Sequence, residues 1–213
     1  MENNDLRNKI NILNNESKIL KQYEEGKGIM YYNNGDRYEG DFKNDLKEGK
    51  GILYYNNGNR YEGEFKNGYK EGKGIMYYNN GDRYEGDFKN DKREGKGIFY
   101  CNNDPWKGDR YEGDYKNDKK EGKGIYYYNN GDRYEGDFKN NNIEGKGIYY
   151  YNNGNRYEGD FINNKFEGNG ILYHKNGKVI KGIWKNGKCL KKEQNSKNMP
   201  QKIFILISIV IKI

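Results

Sequence analysis

Gly26-Lys27-Gly28-Ile29-Met30-Tyr31-Tyr32-Asn33-Asn34-Gly35-Asp36-Arg37-Tyr38-Glu39-Gly40-Asp41-Phe42 is the stretch that decides the fold. Asn34-Gly35 lies between two aromatic-rich runs. An Asn-Gly pair in that setting is a strong hairpin signal, because a type I′ turn needs positive φ at both central residues. Taking these two as the turn predicts that Tyr32 faces Arg37, Tyr31 faces Tyr38, Met30 faces Glu39 and Ile29 faces Gly40. Side chains alternate along a strand. One face then carries Ile29, Tyr31, Tyr38 and Phe42, and the other carries Met30, Tyr32, Arg37, Glu39 and Asp41.

The stretch recurs. Tyr-Glu-Gly begins at Tyr38, Tyr61, Tyr84, Tyr111, Tyr134 and Tyr157, in steps of 23, 23, 27, 23 and 23 residues, with a degenerate copy at Ile180-Lys181-Gly182. A fixed period in this range marks a repeat architecture. The one long step is an insertion in the turn, where Asn103-Asp104-Pro105-Trp106-Lys107-Gly108 replaces Asn-Asn-Gly. Between copies, the rows that begin at Ile29 and Tyr31 scarcely vary, whereas the Met30 row drifts through Leu53, Phe99 and Tyr126. A packed face tolerates less change than a solvated one, so the Ile/Tyr/Tyr/Phe face is assigned to the interior. Gly40 is expected opposite Ile29, leaving room for its side chain. Segments such as Lys43-Asn44-Asp45-Leu46-Lys47-Glu48 are read as loops linking one hairpin to the next. The expectation is an all-β fold: an elongated, single-layer antiparallel sheet of about seven hairpins and fourteen strands.

Composition agrees with a repeat and argues against several functions. Ile, Leu, Val and Phe make up fewer than one residue in five, a level typical of disorder. The 23 tyrosines supply the missing apolar area, and their strict phase is foreign to disordered chains. The net charge is +7, but residues 175–213 carry ten lysines against one acid. The array itself is close to neutral, so the basic balance is no argument for nucleic-acid binding. Cys101 and Cys189 follow no metal or disulfide spacing, and the polar start Met1-Glu2-Asn3-Asn4-Asp5 is unlike a signal peptide. Both points fit a reducing, cytoplasmic setting.

The flanks differ from the array. In residues 1–22, Leu6, Ile10, Leu13, Ser17 and Leu20 fall on one helical stripe. A short amphipathic helix capping the first sheet edge is expected there, with a coiled-coil seam as the alternative. The array is bounded at 23–188. Residues 189–213 form a basic linker ending in Ile203-Phe204-Ile205-Leu206-Ile207-Ser208-Ile209-Val210-Ile211. This run is too short to span a bilayer as a helix. It reads as a last strand, a membrane contact or the ragged end of an incomplete gene model. The two edges of such an array are where a homodimer would form.

No motif supports an enzyme, a cofactor or a metal. His174 is the one histidine and stands in a row otherwise mostly Tyr. Glu39 and Asp41 recur as a pair beside Arg37 and read as a solvated charge ladder rather than an acid–base couple. The Asn-Asn-Gly-Asp-Arg turns lack the EF-hand spacing, and Gly-Lys-Gly is not a phosphate loop. The candidate protein-binding residues are an outer aromatic stripe, Tyr32, Tyr55, Tyr78, Tyr128 and Tyr151, together with Trp106. Lys185, Lys188, Lys191 and Lys192 are the candidate contacts to an anionic membrane surface.

Tyr-Glu-Gly-Asp-Phe-x-Asn, then Glu-Gly-Lys-Gly-Ile, then an Asn-Gly turn, resembles the MORN repeat (membrane occupation and recognition nexus) over residues 23 to 188. The resemblance implies an extended single sheet of hairpins. It also implies a scaffold at cytoskeletal structures, cilia or membrane junctions, binding protein partners. Direct lipid binding has been proposed for the repeat. The copy at Ile180 lacks the Tyr, Arg and Glu and resembles a C-terminal cap. No catalytic domain of the kind fused to some relatives is seen in this sequence, so their enzyme roles are not carried over.

Overall fold

The protein is described by a computed structural model covering residues 20–24 and 26–192. They form one open antiparallel sheet of sixteen strands whose spatial order is the chain order. β1 (Leu20–Glu24) pairs with β2 (Lys27–Tyr31), β2 with β3 (Arg37–Lys43), and β3 with β4 (Leu46–Tyr54). The pattern continues through β8 (Lys92–Tyr100) and β9 (Arg110–Lys116) to β15 (Val179–Lys185) and β16 (Lys188–Lys192). Seven hairpins account for β2 to β15, and one further strand pairs at each end. There is no helix among the described residues. Of the helix expected over 1–22, residues 1–19 lie outside the described chain, and the last three positions belong to β1. The expected final strand or membrane contact at 203–213 also lies outside it.

The Asn-Gly turn differs from the expectation by one residue, which changes the two faces. Among its residues only Gly35 has positive φ, +88°. The Gly35 N–H donates to the Tyr32 carbonyl at 3.0 Å, and the Tyr32 N–H donates to the Asp36 carbonyl at 2.9 Å. The loop is therefore three residues, a type I turn over Asn33-Asn34 closed by a left-handed glycine. The pairs become Tyr31 with Arg37, Met30 with Tyr38, Ile29 with Glu39 and Gly28 with Gly40. A one-residue slip moves a strand's whole side-chain set to the other face. The Ile29 and Tyr31 rows are thus not interior. Met30 is 4% exposed and packs with Tyr38, while Tyr31 is 47% exposed on the opposite face.

The links between hairpins are a second correction. Asn44 (φ 48°) and Asp45 (φ 62°) form a two-residue type I′ turn, and Lys43 pairs with Leu46 across it. The positive-φ pair expected at Asn34-Gly35 belongs here, so what reads as a loop is the second tight turn of each repeat. The insertion at 103–108 does behave as expected. It lengthens one loop, with Gly108 (φ 98°) in the place of Gly35, and the strands on either side keep their register.

The packed face has one recurring device. Tyr38 is fully buried and its ring lies across Gly40 and Gly51, which pair between β3 and β4. Its hydroxyl donates to the Asp41 carbonyl at 2.9 Å. The ring meets Phe42 and Phe65 edge to face, each at 5.0 Å. Gly40 therefore faces Gly28 and Gly51 rather than Ile29, and it is the bed of a tyrosine. Tyr61, Tyr84, Tyr111, Tyr134 and Tyr157 repeat the arrangement.

Candidate partner-binding face

With the tyrosines turned to one side, the opposite face carries what remains at alternate positions. Three rows cross the strands. In the first, tyrosine and arginine alternate. Arg37 lies over the Tyr54 ring at 4.2 Å, and Arg60, Arg83, Arg110, Arg133 and Arg156 each lie 4.3 to 4.5 Å from the ring paired with them. In the second row isoleucine alternates with glutamate. Each glutamate pairs with the arginine two residues before it, closely at Arg60–Glu62 (2.8 Å) and Arg110–Glu112 (2.6 Å), more loosely at Arg83–Glu85 (3.3 Å) and Arg133–Glu135 (3.6 Å). In the third, Lys73, Lys96 and Lys123 meet Asp87, Asp114 and Asp137 at 2.5 to 2.6 Å.

Between the second and third rows runs a groove floored by main chain. It encloses about 1520 Å³ from β2 to β9 and a further 940 Å³ or so from β8 to β15. The two stretches share Lys96, Glu112 and Gly113, so the groove follows the whole array. Along the third row the acids also hold the chain. Asp41 Oδ2 accepts from the Lys50 N–H at 3.0 Å, clasping the bulge at Gly49, and Asp87, Asp114, Asp137 and Asp160 do the same in later repeats. Lys123 and the Lys146 N–H hold the Asp137 carboxyl below its usual range, against a desolvation that acts to raise it. Glu48 and Asp36 reach into the next repeat, accepting from the Asn67 and Asn56 N–H groups at 2.9 and 2.8 Å. The recurrent Glu39 and Asp41 are therefore an arginine partner and a bulge clasp.

The candidate residues read from the sequence fall elsewhere. Tyr32, Tyr55, Tyr78 and Tyr128 are partly buried against the core on the packed face, and Tyr151 is half-buried in the same row. They are not an exposed stripe. Burial raises the Tyr55, Tyr78 and Tyr151 hydroxyls, and pushes Tyr128 up to about 12. Trp106 is 57% exposed in the insertion loop, away from the groove. Lys185, Lys188, Lys191 and Lys192 are exposed on the last hairpin, beside exposed Ile183 and Leu190. His174 sits half-buried in the Tyr32 row. Cys101 occupies that row too, near the half-buried Lys120, whose amine is pushed down to about 8 by desolvation. Lys120 lies over the Tyr126 ring at 4.3 Å.

The Tyr/Arg ladder was missed because its invariance was taken for burial. A signal was present in Tyr38-Glu39-Gly40, since residues two apart share a face. A large ring needs small neighbours on its own side, which places Gly28 and hence Met30 with Tyr38. Among the described residues, no three His, Cys, Asp or Glu are grouped to hold a metal ion, and no helix is long and apolar enough to cross a membrane.

Seven stretches match the MORN repeat: 23–37, 38–60, 61–83, 84–104, 111–133, 134–156 and 157–179. No curated protein matches the chain. Among solved structures, the SAS-4 (dCPAP) TCP domain of Drosophila melanogaster, in complex with a proline-rich motif of Ana2 (dSTIL), is similar at 18% identity and a TM-score of 0.47, over 78% of this chain and 90% of that one. The TCP10c domain of Drosophila melanogaster Sas-4 gives 16% and 0.43 over 78% and 99%. The TCP10 domain of Danio rerio CPAP with a peptide of STIL gives 11% and 0.27 over 83% and 99%. At these scores the similarity carries no functional weight.

Proposed function

Since the chain belongs to the MORN repeat family, we propose that it is a non-enzymatic scaffold that binds a protein partner along its open face. The observation that carries this reading is the continuous groove. The packed face spends its aromatics on the fold, whereas the groove repeats one chemistry, an isoleucine, a glutamate and a lysine, through the first six units, the seventh having Asn169 and Lys181 beside Ile171. A periodic surface suits an extended partner. The location we propose for such a scaffold is the cytoplasm, at cytoskeletal or ciliary structures.

The test is site-specific photo-cross-linking in the source cell. A cross-linker at Ile98, in the groove, is expected to capture a defined partner that the triple variant Ile29→Lys/Ile52→Lys/Ile75→Lys, carrying the same cross-linker, loses while its far-ultraviolet circular dichroism is unchanged. Equal capture from Lys47 on the packed face would overturn the reading.

A second reading rests on the last hairpin. Exposed Lys185, Lys188, Lys191 and Lys192 beside exposed Leu190 suit an anionic membrane surface. Sedimentation with phosphatidylserine vesicles at low salt is expected to be lost when the four lysines are changed to glutamine. Protein that stays in the supernatant without any substitution would sink it.

A further inference from the structure

The spacing of the groove selects the conformation of its occupant. Each repeat contributes two strands. At about 4.8 Å per strand, equivalent residues such as Ile52, Ile75 and Ile98 recur about every 9.6 Å along the groove. A partner that makes the same contact with each repeat must carry the same side-chain direction at that interval. An extended strand rises about 3.3 Å per residue, so its third residue arrives at the right distance but points to the opposite side. An α-helix rises about 1.5 Å per residue and covers roughly 6.4 residues per repeat, which turns its contact face away by roughly 80° each time. A polyproline II helix rises about 3.1 Å with three residues per turn, giving a repeat of about 9.3 Å. It alone keeps one face on the groove, one turn to one repeat.

Charge decides the sequence of that helix. On one wall Lys73, Lys96 and Lys123 are neutralised by aspartates within 2.6 Å. On the other, Glu39 and Glu85 are about half exposed and held loosely, at 3.4 and 3.3 Å, by arginines that also lie over tyrosine rings. A carboxylate with one such partner keeps acceptor capacity. The row therefore offers one glutamate per repeat, with most acceptor capacity left at Glu39 and Glu85, two repeats apart, next to isoleucines that suit proline rings. Resting on the scaffold reading above, we propose that the occupant is a proline-rich, basic segment in the polyproline II conformation. It lies across the strands with one Arg or Lys per turn beside the glutamate row. The stretch from β2 to β9 spans about 34 Å, enough for about eleven residues.

The experiment uses the full chain and two labelled peptides of equal charge, four Pro-Pro-Arg triplets and four Pro-Pro-Pro-Arg tetrads. Both favour polyproline II, but only the triplet matches the repeat. Fluorescence anisotropy at physiological salt is expected to show the triplet peptide binding about tenfold more tightly. Glu39→Lys/Glu85→Lys, on the open face, is expected to lose about tenfold for the triplet peptide and to gain binding of four Pro-Pro-Glu triplets, with unchanged circular dichroism. Equal binding of the two arginine peptides would reduce the effect to non-specific charge and overturn the proposal. So would binding of neither, or an unchanged double variant. The cross-linking test above does not depend on these peptides. Groove-specific cross-links with no triplet preference would leave the scaffold standing and remove the polyproline assignment.

Discussion

Tyr61 shows what one residue does in this protein. Its ring fills the space above Gly63 and Gly74, and its hydroxyl donates to the Glu64 carbonyl at 3.0 Å. Tyr61→Phe keeps the ring and loses one hydrogen bond, an expected cost of about 1 kcal/mol. In Gly74→Ala the new Cβ overlaps the ring, and overpacking of this kind costs roughly 1–3 kcal/mol. Urea midpoints should therefore fall further for Gly74→Ala than for Tyr61→Phe. Titration adds a second residue-scale expectation. Lys120 is lowered to about 8 in the folded protein from 10.5. Between those values the unfolded chain holds the extra proton, so stability rises with pH. The core tyrosines are raised by burial from 10.0. Above pH 10 the unfolded chain therefore loses protons that the folded one keeps, and stability falls. Urea midpoints from pH 7 to 11 should climb gently above 8 and drop beyond 10, and Lys120→Met should flatten the climb.

At the scale of the element, the two turns of each repeat set which face is which. A three-residue loop ending in Gly81 (φ 90°) follows β6 (Tyr69–Tyr77) and places Met76 beside Tyr84. Deleting Asn80 would leave a two-residue loop of the kind expected from Asn-Gly. That loop can close the same Tyr78–Asp82 pair, so Met76 stays opposite Tyr84 and Ile75 and Tyr77 stay on the open face. Hydrogen exchange is therefore expected to find that hairpin still protected, and loss of its protection would show that the third loop residue is needed to hold the register. The seven hairpins were legible in the sequence, since the 23-residue period and its Gly-bounded aromatic runs repeat from Ile29 to Ile171, whereas the added edge strands β1 and β16 fall outside that period. The face was not, because the same Asn-Asn-Gly is compatible with two loop lengths one residue apart. The candidate site inherited that error. Tyr55 and Tyr78 were placed in solvent and are half-buried, and the isoleucines placed in the core line the groove.

The whole molecule is a chain of neighbours. Each strand pairs only with those before and after it in sequence, and stability in such an array is close to a sum of repeat and interface contributions. A chain ending at Tyr150 is expected to keep its remaining hairpins folded. Its urea m-value should shrink with the strands removed and its midpoint should fall modestly. Complete loss of β structure would show a coupling between distant repeats that this topology lacks. By itself the sequence determined the all-β repeat, the count of hairpins, the insertion as a loop and the near-neutral array. These follow from local turn chemistry and a period, which are written residue by residue. Only the tertiary structure decided which face is packed and where the groove lies. That choice depends on a loop geometry one residue long and on the fit of a tyrosine ring to glycines brought opposite each other by strand pairing.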